Sequence, residues 1–273
     1  MLSSKRLSWS LIISGMIVSV ILICGMINPF IEYDPVTDVN LSIRYASPSS
    51  DYWLGTDQQG RSVAIRIFKA ISAFFFPGLI AGFIAVFLGS ALGALCGYLG
   101  GMIKRNVALF LELIDSIPRM VFLVLVCTIY TPSIHLIAIV SSILFIPTIA
   151  TVVRRKVEAL AAEDYIVAHI AHGFHPWKII TYHILWLQCR ALLIRQLIFV
   201  FSYVLFIETA LSYLGDYGVP EPSPSWGNMV ASIKSSSPTV WSWLFPAMAI
   251  IISIAALLTL GDQLAQRDEE VKR

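Results

Sequence analysis

Long apolar runs with few or no charges alternate along this chain with shorter polar stretches. A helix crossing the hydrocarbon core of a bilayer needs roughly 20 mostly apolar residues. Six segments meet that length, at about 8–28, 74–98, 107–130, 134–153, 191–214 and 243–261. The pattern predicts an all-α integral membrane fold with six transmembrane helices. The second segment carries Gly78, Gly82, Gly89, Gly93 and Gly97, a stripe of small residues that lets another helix approach closely.

Three connections are long enough to hold structure of their own. Residues 31–73 end in an amphipathic stretch from Gly60 to Ser72. Residues 154–190 predict two short helices in a helix–turn–helix: 154–172 contain neither Pro nor Gly, Gly173 supplies a C-terminal cap, and a second helix starts at Pro176 or Trp177. Residues 215–242 are rich in turn formers (Gly218, Pro220, Pro222, Pro224), with Trp226, Trp241 and Trp243 suited to a membrane interface.

Composition agrees with the pattern. Of 273 residues, 57% are hydrophobic and 13% charged, with a mean hydropathy of +0.78; soluble domains run nearer 45–50% apolar and about 25% charged. A water-soluble core is excluded. A net charge of +2 gives no field that would attract nucleic acid. The placement of the basic residues is more informative. With a cytoplasmic N-terminus, the inner segments hold Lys5, Arg6, Lys104, Arg105, Arg154, Arg155, Lys156, Lys178, Arg190, Arg195, Arg267, Lys272 and Arg273, against Arg44, Arg61, Arg66, Lys69 and Lys234 outside. The positive-inside rule therefore predicts that both termini are cytoplasmic. The run from Leu11 to Ile27 exceeds a signal-peptide core and lacks an A-x-A-like site after it, so it reads as a retained first span. Cys24, Cys96, Cys127 and Cys189 stand singly, with no ligand or disulfide spacing.

Motifs for bond chemistry are missing. The chain has no G-x-x-x-x-G-K-[ST] phosphate loop, no G-x-S-x-G elbow and no H-E-x-x-H helix. If ATP powers this protein, another polypeptide binds it. Glu208 in the fifth span reads as a proton or cation relay, or as a hydrogen-bonded group at a pathway or subunit interface; intramembrane acids are ordinarily paired, which favours the second. Asp115 and Arg119, four residues apart, form a structural ion pair or line a pore. His169, His172 and His175 offer a metal reading against a solvated or partner-contacting surface. Arg61, Arg66 and Lys69 either attract an anion or face solvent and headgroups.

The motifs that do occur carry a resemblance. The loop at 154–185 resembles the EAA loop of ABC-transporter permeases, with its triplet at Val167, Ala168 and His169, its glycine at Gly173, and Ile184-Leu185 followed by Trp186; Val167, His169 and Trp186 replace the usual Glu, Ala and Pro. Leu54-Gly55-Thr56-Asp57-Gln58-Gln59-Gly60-Arg61-Ser62 resembles the L-G-T-D-x-x-G-R-D signature of the peptide/nickel importer permeases, the dipeptide and oligopeptide C-type subunits. Glu208-Thr209-Ala210-Leu211-Ser212-Tyr213-Leu214-Gly215, Pro224-Ser225-Trp226-Gly227-Asn228-Met229 and Leu260-Gly261-Asp262 are similar to further segments of that family. The resemblance implies a permease domain at 74–261, flanked by a segment at 1–73 and a tail at 262–273. It also implies a homologous second permease subunit, two cytoplasmic ATPase subunits that carry ATP and Mg, an external solute-binding protein, and no cofactor on this chain itself. On that reading Asp164, Tyr165, Ala168, Gly173 and Leu185 belong to the ATPase-coupling loop, Glu208, Asp115 and Arg119 to the pathway or an interface, and the cargo is a peptide, nickel or a metal chelate. A proton-coupled secondary transporter remains the alternative.

Overall fold

A computed structural model describes residues 9–32, 34–99, 101–215, 217–234 and 239–272, and side chains throughout these except at 99, 103, 104, 269, 271 and 272. Of the predicted inner charges, Lys5, Arg6, Arg273 and the side chains of Lys104 and Lys272 lie outside the described residues. The helices in chain order are α1 (Trp9–Ile27), α2 (Val63–Leu99), α3 (Gly101–Asp115), α4 (Arg119–Ile129), α5 (Ile134–Ala161), α6 (Asp164–Ala171), α7 (Pro176–Lys178), α8 (Arg190–Leu214), α9 (Trp226–Ala231) and α10 (Val240–Lys272), with a π-helical segment at Ile179–Trp186. Among the described residues, α1, α2, α5, α8 and α10 are long and apolar enough to cross a membrane.

The expected third span, 107–130, is not one helix. Proline 118 has no N–H to donate and disfavours helical backbone at the residue before it. The chain accordingly leaves α3 after Asp115 and restarts as the 11-residue α4 at Arg119, with Pro118 itself extended (ψ 107°). The Gly60–Ser72 stretch is also no separate element. Its helical part from Val63 is the first part of α2, which runs 37 residues, about 55 Å at 1.5 Å per residue and well beyond the roughly 30 Å of hydrocarbon.

Packing follows the glycines. A Cβ on Gly78 would meet Phe201 at 2.7 Å and one on Gly82 the Leu197 carbonyl at 3.1 Å, both on α8; one on Gly89 would meet Ile149 at 2.8 Å, and one on Gly97 the Arg154 carbonyl at 2.9 Å, both on α5. The stripe thus serves two partners, α8 along its first half and α5 along its second. In lipid the tails are as apolar as the side chains, so this close approach, rather than the hydrophobic effect, supplies much of the association.

The same contacts fix directions. Numbers rise together along α2 and α5, so these helices are parallel, while α8 opposes α2. The α1 end meets the α2 start, where Asn28 Nδ2 donates to the Phe68 carbonyl at 2.5 Å. The α10 end meets the α8 start through Arg190–Asp268 at 2.6 Å and Arg195–Asp262 at 2.6 Å. Because α2 and α5 are parallel, α3 and α4 carry the chain back between their ends. Glu112 lies level with Arg154 (3.8 Å), Asp115 with Thr148 (2.6 Å), and Leu123 and Cys127 pack with Ile137 and Leu144.

Candidate functional site

At the end of the bundle where α2 begins, three motif segments, 54–62, 208–215 and 224–229, converge. Asp57 accepts from Arg61 Nε at 2.9 Å and from Arg66 Nη1; Glu221 accepts from Arg61 Nη1 at 3.0 Å and from Arg66 Nη2 at 2.9 Å. The Arg61 and Arg66 side chains are 0% and 3% exposed, and Lys69 is also buried. This corrects the expectation of a solvated or headgroup-facing row. Buried guanidiniums need carboxylate partners, and Asp57 and Glu221 provide them. Gly60, at φ +74°, takes the left-handed backbone that brings Asp57 and Arg61 together, and a Cβ there would strike the Asn40 carbonyl.

Burial opposes the charge on Asp57, but Arg66, Arg61 and the backbone N–H groups of Arg61 and Gln59 outweigh it and hold its carboxyl below the ordinary 3.8. A depressed acid stabilises the fold fully above its unfolded value and loses that contribution as pH falls through its folded value. We therefore expect thermal unfolding midpoints of the purified chain to be insensitive to this group above about pH 4.5 and to fall below 3.8. In Asp57→Asn the part of the acid limb owed to this group should vanish. An unchanged limb would show that Asp57 is not the linked carboxylate.

Glu208, on α8, is 2% exposed. Its Oε1 accepts from Ser212 Oγ at 2.9 Å, Ser225 Oγ at 2.8 Å and the Val219 N–H at 3.3 Å. A Cβ on Gly227 would lie 2.5 Å from Oε2, so only glycine admits the carboxylate here. Ser225 also caps α9 in a reciprocal capping box with Asn228, and Asn228 Oδ1 lies 3.4 Å from Arg66 Nη2. Trp226, expected at an interface, is 2% exposed and donates to the Ile67 carbonyl at 2.9 Å; Trp241 donates to the Thr56 carbonyl at 3.1 Å. Beside this network lies a cavity of about 640 Å³ lined by Asp57, Arg66, Ser212, Glu221, Asn228 and Lys234 among others.

The opposite end carries the 154–190 segment. The expected helix 154–172 is two pieces: residues 154–161 are the tail of α5, the backbone turns extended at Glu163 (ψ 141°), and α6 follows. Val157 and Ile166 are both 0% exposed in one cluster. Nine residues of straight helix would put them on opposite faces, and the break turns both inward. After α6, the Phe174 N–H donates to the His169 carbonyl at 3.1 Å and the Gly173 N–H to the Ile170 carbonyl at 2.9 Å, with Gly173 at φ +74°. This paired pattern is a Schellman cap, as Gly173 predicts. Pro176 opens α7, whose N-cap His175 Nδ1 accepts from the Trp177 N–H at 3.3 Å.

The second piece continues as π rather than α helix, with the Leu187 N–H reaching the Tyr182 carbonyl five residues back. That wider turn brings Ile179 and Ile184 onto one buried face. Asp164, Tyr165, Ala168 and Gly173 are exposed, whereas Leu185 packs inward against the Ile166–Ile179–Ile184 cluster. Val167 at 54%, Ile170 at 50% and Trp177 at 63% leave an exposed apolar face, of which only Val167 is a motif position. The His169 and His183 rings meet at 4.3 Å in a tilted contact; burial, His169 and Lys178 together push His183 below its ordinary value, so it stays neutral near pH 7.

Asp115 and Arg119 do pair, at 2.7 Å, but across the break between α3 and α4 rather than along one helix. Arg119 also contacts Thr148 at 2.5 Å and stands 4.1 Å over the Phe145 ring. The pair therefore pins the broken segment to α5. Glu208 lies near the other end of the bundle and does not join it.

These features define a multi-helix membrane permease: long glycine-packed spans with a structured loop at one end and a polar cavity at the other. The chain belongs to the family described as binding-protein-dependent transport system inner membrane component, which matches residues 89–267. It is a transport subunit rather than an enzyme. It is 28% identical over 256 residues to the dipeptide transport system permease protein DppC of Alkalihalophilus pseudofirmus, covering 93% of this chain and 83% of that protein. It is 30% identical over 250 residues to a putative peptide transport system permease protein of Brucella suis (90% and 82% covered) and 28% identical over 249 residues to the oligopeptide transport system permease protein OppC of Bacillus subtilis (91% and 81% covered).

Proposed function

We propose that this chain forms half of the translocation path of a peptide importer driven by ATP hydrolysis on separate subunits. The observation that carries the reading is the loop: Ile166, Ile179 and Ile184 are sunk into the same cluster as Val153, Val157 and Val200 of the spans, while Val167, Ile170 and Trp177 face outward. A force on the outer face passes into α5 and α8 with little slack, because close-packed interiors deform little. Peptide, rather than nickel or a metal chelate, is the cargo named for the similar permeases.

On this reading α3 and α4 together make a broken third crossing, giving six crossings over a permease domain at 74–261. Both termini and the 154–185 loop are cytoplasmic, and the Asp57 cluster is external. A homologous permease subunit completes the path, two ATPase subunits grip the loop around Asp164, Tyr165, Ala168 and Gly173, and an external binding protein delivers cargo. ATP and Mg belong to the ATPase subunits, and no cofactor is held here. Closure of the ATPase pair rocks the spans between inward- and outward-facing states. Glu208 satisfies three hydrogen-bond donors, which favours a positioning role over a proton relay.

Copurification in mild detergent should bring an ATPase subunit with this chain, and uptake into vesicles should require ATP and be blocked by vanadate. Uptake that ignores ATP and collapses with a protonophore would refute the reading. Gly173→Pro supplies a sharper test. Proline cannot adopt φ +74° and has no N–H for the Ile170 carbonyl. The variant should insert normally and lose ATP-driven uptake by more than about tenfold, on the order of the 3 kcal/mol such a proline costs its helix end. Wild-type uptake by it would refute the docking role.

A further inference from the structure

Arg61 and Arg66 each keep a buried N–H without an acceptor, Nη2 of Arg61 and Nε of Arg66. Buried donors in a folded protein are ordinarily satisfied, and guanidiniums take carboxylates through paired bonds. The two acids that serve them differ. Asp57 is 7% exposed and fixed by backbone N–H groups, while Glu221 is 41% exposed and sits on the irregular connection between α8 and α9. Glu221 therefore occupies, from the more exposed side of the pair, a position that another carboxylate can take. The space to bring one is present, because Arg66, Glu221 and Lys234 border the 640 Å³ cavity, within the range of small-ligand sites. Arg66 and Lys234 supply the cationic part of that lining, beside Asp57 and Glu221.

We propose that this cavity is a binding site for the free C-terminal carboxylate of a short peptide, with Glu221 as the internal carboxylate it displaces from Arg61 and Arg66. Glu221 closes the site when it is empty. An arriving peptide carboxylate takes over the Arg61 Nη1 and Arg66 Nη2 donors that Glu221 now holds. Proton and electron bookkeeping is trivial, since one carboxylate replaces another. The inference rests on the peptide-importer reading for its ligand, but its test measures binding to this chain alone, so failure of ATP-driven uptake and failure of this site are separate results.

The full chain in lipid nanodiscs is titrated with the dipeptide Ala-Ala, its C-terminal amide and acetate, read by fluorescence of Trp226 and Trp241 beside the site. Ala-Ala should bind, the amide should bind at least about tenfold more weakly, and Glu221→Ala should tighten Ala-Ala about tenfold by removing the competitor. The free-acid and amide comparison uses the unaltered protein, so it does not depend on any variant folding. Equal binding of acid and amide, acetate as effective as Ala-Ala, or an affinity unchanged in Glu221→Ala would each overturn the proposal.

Discussion

Gly93→Leu should sharply lower the thermal unfolding midpoint of the purified chain, while Gly15→Leu leaves it at the wild-type value. The reason is what each new side chain meets. At Gly93 the nearest atoms to a Cβ are the Ala150 carbonyl, the Ala150 Cα at 3.0 Å and Val153 Cβ at 3.0 Å. The first two are backbone of a helix held along its length by its own hydrogen bonds, so no rotamer change relieves the clash. Overpacking in a tight core costs about 1–3 kcal/mol where neighbours can shift, and here α2 and α5 must separate, losing the contacts at Gly89 and Gly97 as well. We expect a loss of at least about 3 kcal/mol, seen as a large drop in the thermal midpoint by tryptophan fluorescence and in monodisperse yield. A Cβ on Gly15 meets nothing within 4 Å, so that variant controls for adding a leucine to a span. A Gly93→Leu midpoint equal to wild type would mean that α2 and α5 do not pack through this stripe.

Asp57→Ala should be the second most damaging change. It strips two guanidiniums, 0% and 3% exposed, of their buried counter-ion, and removing one partner of a buried pair costs about 3–5 kcal/mol because the remaining charge is left in a poor solvent. The Gln59 and Arg61 N–H groups also lose their acceptor. The expected signature is a lower thermal midpoint together with new protease sensitivity in residues 40–62, which Asp57 ties down. Asp51→Ala, at an exposed position, should stay within about 0.5 kcal/mol of wild type. If Asp57→Ala and Asp51→Ala behave alike, the arginines are hydrated and the cluster is not a buried network.

Particular residues show where reading the chain succeeds. The spans at 134–153, 191–214 and 243–261 fall within α5, α8 and α10, and α1 lies within that at 8–28, because apolar length is a local quantity measured against a fixed bilayer thickness. Gly173 is legible for a similar reason: a left-handed cap followed two residues later by His175-Pro176 is decided within one turn of helix. The span at 107–130 failed because hydropathy averages over Pro118, whereas the backbone cannot. The 154–172 helix failed because its sequence favours helix throughout; the break at Glu163 exists only to bring Val157 and Ile166 to one buried cluster. The burial of Arg61, Arg66 and Lys69 was not legible because, beside the nearby Asp57, it depends on Glu221 and the loop around Asn28, 41 to 160 residues away.

The sequence by itself determined that this protein is helical and membrane-embedded, where most of its long spans lie, and that its family's motifs are present in order. Those facts depend on composition and spacing within a few turns. The tertiary structure alone decided that the motifs around Asp57, Glu208 and Asn228 meet at one end of the bundle, that the basic residues there are buried, and that one carboxylate of the network, Glu221, is half exposed on an irregular loop. Those facts depend on how far helices can approach at Gly78, Gly89 and Gly97, and a close approach between segments far apart in the chain leaves no periodicity from which its partner can be read.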